Sequence, residues 1–211
     1  MIREQNFSKG PIFGPLVRFA LPILLALFLQ TMYGAVDMMV VGQFATAADV
    51  SAVSTASWLM QLVTSLVVGI AVGTTVLLGR KLGEGNAAES GKIVGASIAL
   101  FGLLGIALTV AMELLAVPLV KLMQTPPEAV GAAVAYMRIC SAGTVFIVAY
   151  NVLGSVFRGI GNSRIPLMAV AFACVFNIAG DYLLVGVFKM AAAGAAIATV
   201  AAQAQPFTAV A

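Results

Sequence analysis

The sequence has no histidine and only two cysteines in 211 residues. Cys140 and Cys174 both lie inside apolar runs, so neither a disulfide framework nor zinc-ligand spacing is present. Buried thiols are the expected state for both. Charge is equally scarce. Asp, Glu, Lys and Arg together make 9% of the chain, where a soluble domain carries roughly 25%. Mean hydropathy is +1.08. A soluble fold is excluded by these figures. The apolar runs are continuous and do not alternate over about 10 residues, which favours membrane helices over a barrel. Net charge is only +3 and the basic residues fall in loops, so no nucleic-acid surface is expected. The segment Met1–Ile12 is polar, and the apolar run behind it is too long, without a small-residue cleavage site, for a signal peptide.

What remains is an all-α membrane protein. A bilayer-spanning helix needs about 20 apolar residues, and six such runs are expected, at about 14–41, 50–78, 93–120, 129–156, 165–188 and 190–211, after a polar segment 1–13. Arg3, Lys9, Arg18, Arg80, Lys81, Lys92, Arg158 and Arg164 fall on one side of these spans, and Lys121 and Lys189 on the other. Basic residues accumulate on the cytoplasmic side, so both termini are expected in the cytoplasm and the protein in the plasma (inner) membrane. Connections are short. RKLGEGNAAESGK reads as a turn with a short surface helix, KLMQTPPE as an outer turn, and FRGIGNSRIP as a Gly-rich turn.

The informative residues are the polar ones inside these runs. Gln30, Tyr33 and Asp37 form one stripe on the first span. An ionisable side chain in a span is unfavourable by roughly 2.5–3.5 kcal/mol on insertion scales and generally lines a functional cavity. Asp37 is expected about 7 Å inside the outer end of its span, and Asp181 about 12 Å in from the same face. Asn177 lies one turn from Asp181, and Thr199 and Gln203 are one turn apart on the last span. Asp37, Asn177, Asp181 and Thr199 therefore form a candidate oxygen-rich pocket. It suits a hard cation such as Na⁺, with these four as ligands, or a proton shared between two carboxyls. A purely structural role for the two carboxyls is the alternative.

Glu113 and Arg138 fall at similar depth on consecutive antiparallel spans and are expected to form a structural ion pair. Tyr33, Gln61, Tyr136 and Asn151 are candidate cavity-lining residues, with Gln30 and Gln203, although a Tyr or Trp such as Trp58 near a helix end is often an interfacial anchor. The pairs Gly69/Gly73 and Gly91/Gly95 have the spacing of close helix contacts. Pro22 removes one backbone hydrogen bond and is a candidate bend. The ten methionines read as packing, or as the lining of an apolar cavity.

The stretches ALPILLALFLQTMYGAVDMMVVGQF, YMRICSAG, FRGIGNSRIPL, NIAGDYLLV and GAAIATVAAQ, in that order over about residues 15–203, resemble the multidrug and toxin extrusion (MATE) transporters. The resemblance implies a cation-coupled (H⁺ or Na⁺) antiporter that exports drugs or amphipathic organic cations by alternating access, with no catalytic residue and no cofactor beyond the coupling ion. It implies that Asp37, Asn177, Asp181 and Thr199 match a cation or proton site, that Tyr33, Tyr136 and Asn151 match cavity positions, and that Arg138 stands where the family often has a basic residue. Such transporters have twelve helices in two lobes. Six helices make one lobe, so the partner would be a missing C-terminal lobe or a second copy of the chain, besides membrane lipid. The last residues, with Pro206 in the final run, read as a truncated or frame-shifted end.

Three other readings compete with this one. A lipid-linked oligosaccharide flippase or polysaccharide exporter of the same superfamily needs several cavity Lys or Arg, and only Arg138 falls inside a span. An intramembrane aspartyl protease needs GxGD, and Ile178 stands at the first glycine. A non-transporting scaffold or assembly protein would show no cation-dependent transport.

Overall fold

The computed structural model describes residues 13–208, with side chains through 205. The expected N-terminal cytoplasmic segment, with Arg3 and Lys9, lies outside these residues. The described chain is all helical: α1 Phe13–Phe44, α2 Ala47–Gly83, α3 Ala87–Leu122, α4 Pro127–Ala142, α5 Thr144–Gly159, α6 Arg164–Asp181, a π-helical segment Tyr182–Val187, and α7 Ala191–Thr208. By length and composition four crossings are long and apolar enough for a bilayer: α1, α2, α3 and α6 with its π-helical continuation; α4 and α5 make a fifth if taken together. α7, at 18 residues, runs beside α6. The chain is an integral membrane protein.

Local chemistry sets the boundaries. α2 begins at a capping box: Asp49 N–H donates to Thr46 Oγ1, and Thr46 N–H donates to Asp49 Oδ2. Asn86 caps α3 through Glu89 N–H. The expected surface helix between the second and third spans is instead absorbed into longer α2 and α3, separated by Glu84–Asn86. Glu84 accepts from Arg80 and Lys81 there, and Glu89 also meets Lys81. These bonds hold the Lys81 amine above its ordinary range, Glu89 contributing most, and the Glu84 carboxyl below its own, chiefly through Lys81.

The fourth expected span is not one rod. α4 and α5 meet at Gly143 with a bend of 52°. Ser141 and Thr144 on either side turn their hydroxyls back onto the carbonyls of Met137 and Cys140, at 2.7 and 3.2 Å. Such back-bonding competes with the helical ladder and bends it. At Pro22, by contrast, α1 continues as one helix without a break, and Pro22 is buried. The fifth span also differs, since its C-terminal end widens into the π-helical segment directly after Asp181.

The main core lies toward the ends remote from the basic turns, where α2, α4 and α7 meet. It is built on small residues, Ala52, Ala56, Ala133, Ala195 and Ala196, with Val53, Met137 and Val41 filling between them. Small side chains let backbones approach where lipid supplies no hydrophobic drive between helices. A second cluster, Val67, Ala71, Phe101, Val148 and Val152, ties α2 and α3 to α5. The glycine pairs with contact spacing play no part. Gly69, Gly73, Gly91 and Gly95 are not at helix contacts, since a Cβ on any of them would meet nothing within 4 Å. The glycines that do sit at helix contacts are others. A Cβ on Gly159 would stand 3.0 Å from Leu78, and one on Gly180 3.0 Å from Ala198.

Arg138 Nε lies 3.8 Å from Glu113 Oε2 across α3 and α4. Both side chains are partly exposed, beside the exposed Leu114, so the pair sits on the outer surface of the bundle. Neutralising either partner leaves its mate unpaired in an apolar setting. Glu113→Gln or Arg138→Gln alone is expected to reduce detergent-extractable folded protein, and the exchanged pair Glu113→Arg/Arg138→Glu to restore it. Unchanged yield in both single variants would show that the pair is dispensable for folding.

Candidate functional site

α1 packs along α6 and only lightly on α2, which leaves a cleft of about 1820 Å³, including its open mouth. Five of the residues expected to line a cavity reach its wall, and the first three are Gln30 and Tyr33 from α1 and Gln61 from α2. Asn151 of α5 and Gln203 of α7 complete its polar lining, with Ser57, Thr64 and Trp58. Trp58 is 65% exposed and faces this cleft. A deeper recess of the cleft is lined by Asp37, Tyr136, Cys140 and Thr199, again with Tyr33 and Gln203.

Behind the recess lie Asn177 and Asp181 of α6. Asp181 is fully buried, Asn177 is 1% exposed and Asp37 6%. Asn177 Nδ2 donates to Thr199 Oγ1 at 3.4 Å, and Asp37 lies within electrostatic reach of Asp181. The structure thus brings α1, α6 and α7 together at one place, and the four oxygen-bearing side chains with them. Ser57 Oγ donates to Tyr136 Oη at 3.2 Å, and Tyr136 in turn reaches Thr199. A string of polar groups therefore runs from the cleft wall through Ser57, Tyr136, Thr199 and Asn177 toward Asp181.

The accounting of hydrogen bonds here is unusual. Asp37 Oδ1, Asn177 Oδ1 and both carboxyl oxygens of Asp181 are buried without a donor among the described residues. Buried polar atoms are nearly always satisfied, and each exception costs about 1–3 kcal/mol. Four such acceptors, two of them on one carboxyl, form a set that a bound cation or proton would complete. All the acceptor atoms are hard oxygens, as a small alkali cation prefers, so the residues fit such an ion. No group of three His, Cys, Asp or Glu side chains is present among the described residues, so the set does not resemble a transition-metal site.

Other features of this region carry no clear mark in the sequence. Tyr150 interacts with Gln30 and lines both the cleft and a narrower slot below it. Arg158, read as a loop residue, is half-buried in that slot. Gly143 carries the bend and touches Val200, next to Thr199.

Comparison with known proteins agrees with this architecture. A family model described as MatE matches residues 22–183. The chain is 29% identical over 202 residues to the probable multidrug resistance protein YpnP of Bacillus subtilis (strain 168), covering 96% of this chain and 45% of YpnP. It is 31% identical over 200 residues to the probable multidrug resistance protein YoeA of the same strain, covering 93% of this chain and 43% of YoeA. A crystal structure of a MATE protein in complex with MaD3S superposes with a TM-score of 0.87 at 25% identity, over 93% of this chain and 44% of that one. The chain thus spans less than half the length of the relatives it matches. With a shared helical lobe, a matching family model over most of its length and relatives at these identities, the chain belongs to the MatE family.

Proposed function

We propose that this chain is the cation-binding lobe of an H⁺- or Na⁺-coupled antiporter that exports amphipathic, often cationic, small molecules. The observation that carries the reading is the set of four buried acceptor oxygens without donors at the back of an open, polar cleft. The multidrug designations of YpnP and YoeA support the class of cargo. Asp37 would couple the two compartments, a role supported by its lining the recess while its Oδ1 belongs to the unsatisfied set. Coupling requires only that cation and cargo prefer different states of the lobe. The basic ends of the helices would face the cytoplasm of the inner membrane, with the cation site in the outer half.

Alternating access generally uses two bodies that rock against each other. A second lobe, or a second copy of this chain, would supply the other body. Export of a lipid-linked pyrophosphate is disfavoured by the cleft itself, whose wall carries no Lys or Arg among its lining residues; Arg138 points outward to Glu113.

The test is transport in vesicles holding the chain together with a second lobe and a fluorescent organic cation. An imposed H⁺ or Na⁺ gradient is expected to drive counter-movement of the dye, and Asp37→Asn to stop it. Dye movement that ignores both gradients would remove the antiport assignment.

A further inference from the structure

The slot below the cleft has a distinct chemistry. Its walls are apolar: Ile23 and Leu27 from α1, Leu153 and Phe157 from α5, Pro166 and Ala169 from α6. At the end formed by the α5 C-terminus and the α6 N-terminus, Arg158 and Ser163 line it. This is the basic end of the lobe, since the α2 and α5 C-termini meet there; a Cβ on Gly79 would stand 3.3 Å from the Gly159 carbonyl.

Arg158 is held in place, with no counter-charge paired to it among the described residues. Its Nη2 donates to Ser155 Oγ at 2.9 Å. Gly154 makes room for it, because a Cβ there would stand 3.3 Å from Nη1. None of the ion pairs among the described residues involves Arg158. A guanidinium has five N–H donors and stays charged in proteins. In a half-buried apolar slot its remaining donors favour an anion with several acceptor oxygens, and a phosphate suits the planar fork best. The α6 N-terminus adds little, because Asn162 Oδ1 already takes the N–H groups of Arg164 and Ile165.

We propose that this slot binds an anionic phospholipid, its phosphate on Arg158 and Ser163 and one acyl chain along the wall between α1 and α5–α6. A lipid is favoured over free phosphate because the charge stands at one end only and the rest of the slot is mostly hydrocarbon, its other polar lining being Gln30, Tyr150 and Asn151, which it shares with the cleft. Basic groups near the cytoplasmic surface meet a leaflet rich in anionic headgroups. An acyl chain in the slot would reach toward Gln30 and Asn151, which the slot shares with the cleft. None of Asp37, Asn177, Asp181 and Thr199 lines the slot.

The experiment is native mass spectrometry of the delipidated chain in nonionic detergent. It is titrated with phosphatidylglycerol, with phosphatidylcholine of the same acyl chains, and with inorganic phosphate as competitor. One phosphatidylglycerol is expected to be retained, with a preference of about tenfold or more over phosphatidylcholine, whose choline cation offsets the phosphate charge beside Arg158. Arg158→Gln is expected to abolish the preference, and Arg158→Lys to keep part of it. Arg164→Gln, an exposed arginine at the same end, is expected to leave it unchanged. Ala169→Trp fills the slot while sparing Arg158, and is expected to expel the lipid; it also serves if Arg158→Gln does not fold. A preference that survives Arg158→Gln or Ala169→Trp overturns the proposal. So does displacement of the lipid by equimolar inorganic phosphate, which would show a free-anion site.

Discussion

Asp181→Asn is expected to abolish the response of the lobe to the proposed coupling cation while making the cation-free protein more stable. Asp181 is fully buried and neither of its carboxyl oxygens meets a donor among the described residues. Asp37, its electrostatic neighbour, leaves Oδ1 in the same condition. These oxygens are costly to bury unpaired, and a cation or proton relieves that cost. A ligand that binds only the folded form stabilises it by RT ln(1 + [L]/Kd), about 2.7 kcal/mol at a hundredfold excess over Kd. Thermal unfolding of the wild-type chain in detergent should thus shift upward on titration with Na⁺ at constant pH, or on acidification at constant salt. The carboxamide introduced by Asp181→Asn would place a donor among the orphaned oxygens and remove one of two neighbouring charges. We expect it to add on the order of 1 kcal/mol or more to the cation-free stability and to flatten both titrations. Asp37→Asn should act in the same direction. If Asp181→Asn unfolds earlier than wild type and keeps the full cation-dependent shift, Asp181 is a structural residue and the site lies elsewhere.

The second large effect is expected at Gly143. Its backbone, φ −84° and ψ −3°, is open to any residue, so the glycine is not needed for conformation. It is needed for space. A Cβ there would stand 2.5 and 2.6 Å from the two γ-methyls of Val200 and 3.1 Å from its Cβ. Gly143→Ala must therefore displace α7 or open the bend between α4 and α5. Overpacking of this kind costs about 1–3 kcal/mol. The displacement has a functional side, because Thr199 precedes Val200 and its hydroxyl receives the Asn177 amide. Gly143→Ala should lower folded yield and weaken the cation-dependent thermal shift together. Val200→Ala removes both offending methyls, so Gly143→Ala/Val200→Ala should recover most of the loss, a coupling that a double-mutant cycle measures. Wild-type stability of Gly143→Ala, or a double variant no better than the single, would contradict the contact.

The two expectations differ in how they could have been reached. Asp37 and Asp181 stand out in the sequence because carboxyls are rare in apolar runs, and the depth of each follows from counting 1.5 Å per residue along a helix. Asn177 and Thr199 follow from helical spacing and from the MATE resemblance. Gly143 could not be singled out in that way. Its meaning depends on which side chain of α7 arrives opposite it, and nothing in the order of residues states that. The same limit misdirected the reading of glycine spacing. Gly69/Gly73 and Gly91/Gly95 have the right interval for a helix contact, yet no other helix stands against them, while Gly159 and Gly180, without that pattern, sit against Leu78 and Ala198. Spacing reports which residues share a face; it does not report whether another helix covers that face.

Composition and hydropathy by themselves determined that this chain is helical and embedded in a membrane, and the order of its motifs pointed to a MATE lobe. They also marked the carboxyls that a lipid-facing helix could not carry. Those properties are local or additive along the chain, so no fold is needed to read them. Tertiary structure alone decided that the fourth span bends at Gly143, that Pro22 leaves α1 unbroken, and that Arg158 turns into an apolar slot instead of lying in a loop. It alone showed that oxygens of Asp37, Asn177 and Asp181 lack donors among the described residues. Each of these depends on which atoms of distant segments come to stand beside one another. Whether a buried oxygen is satisfied is a property of its neighbours in space, and a chain acquires those neighbours only when its helices pack.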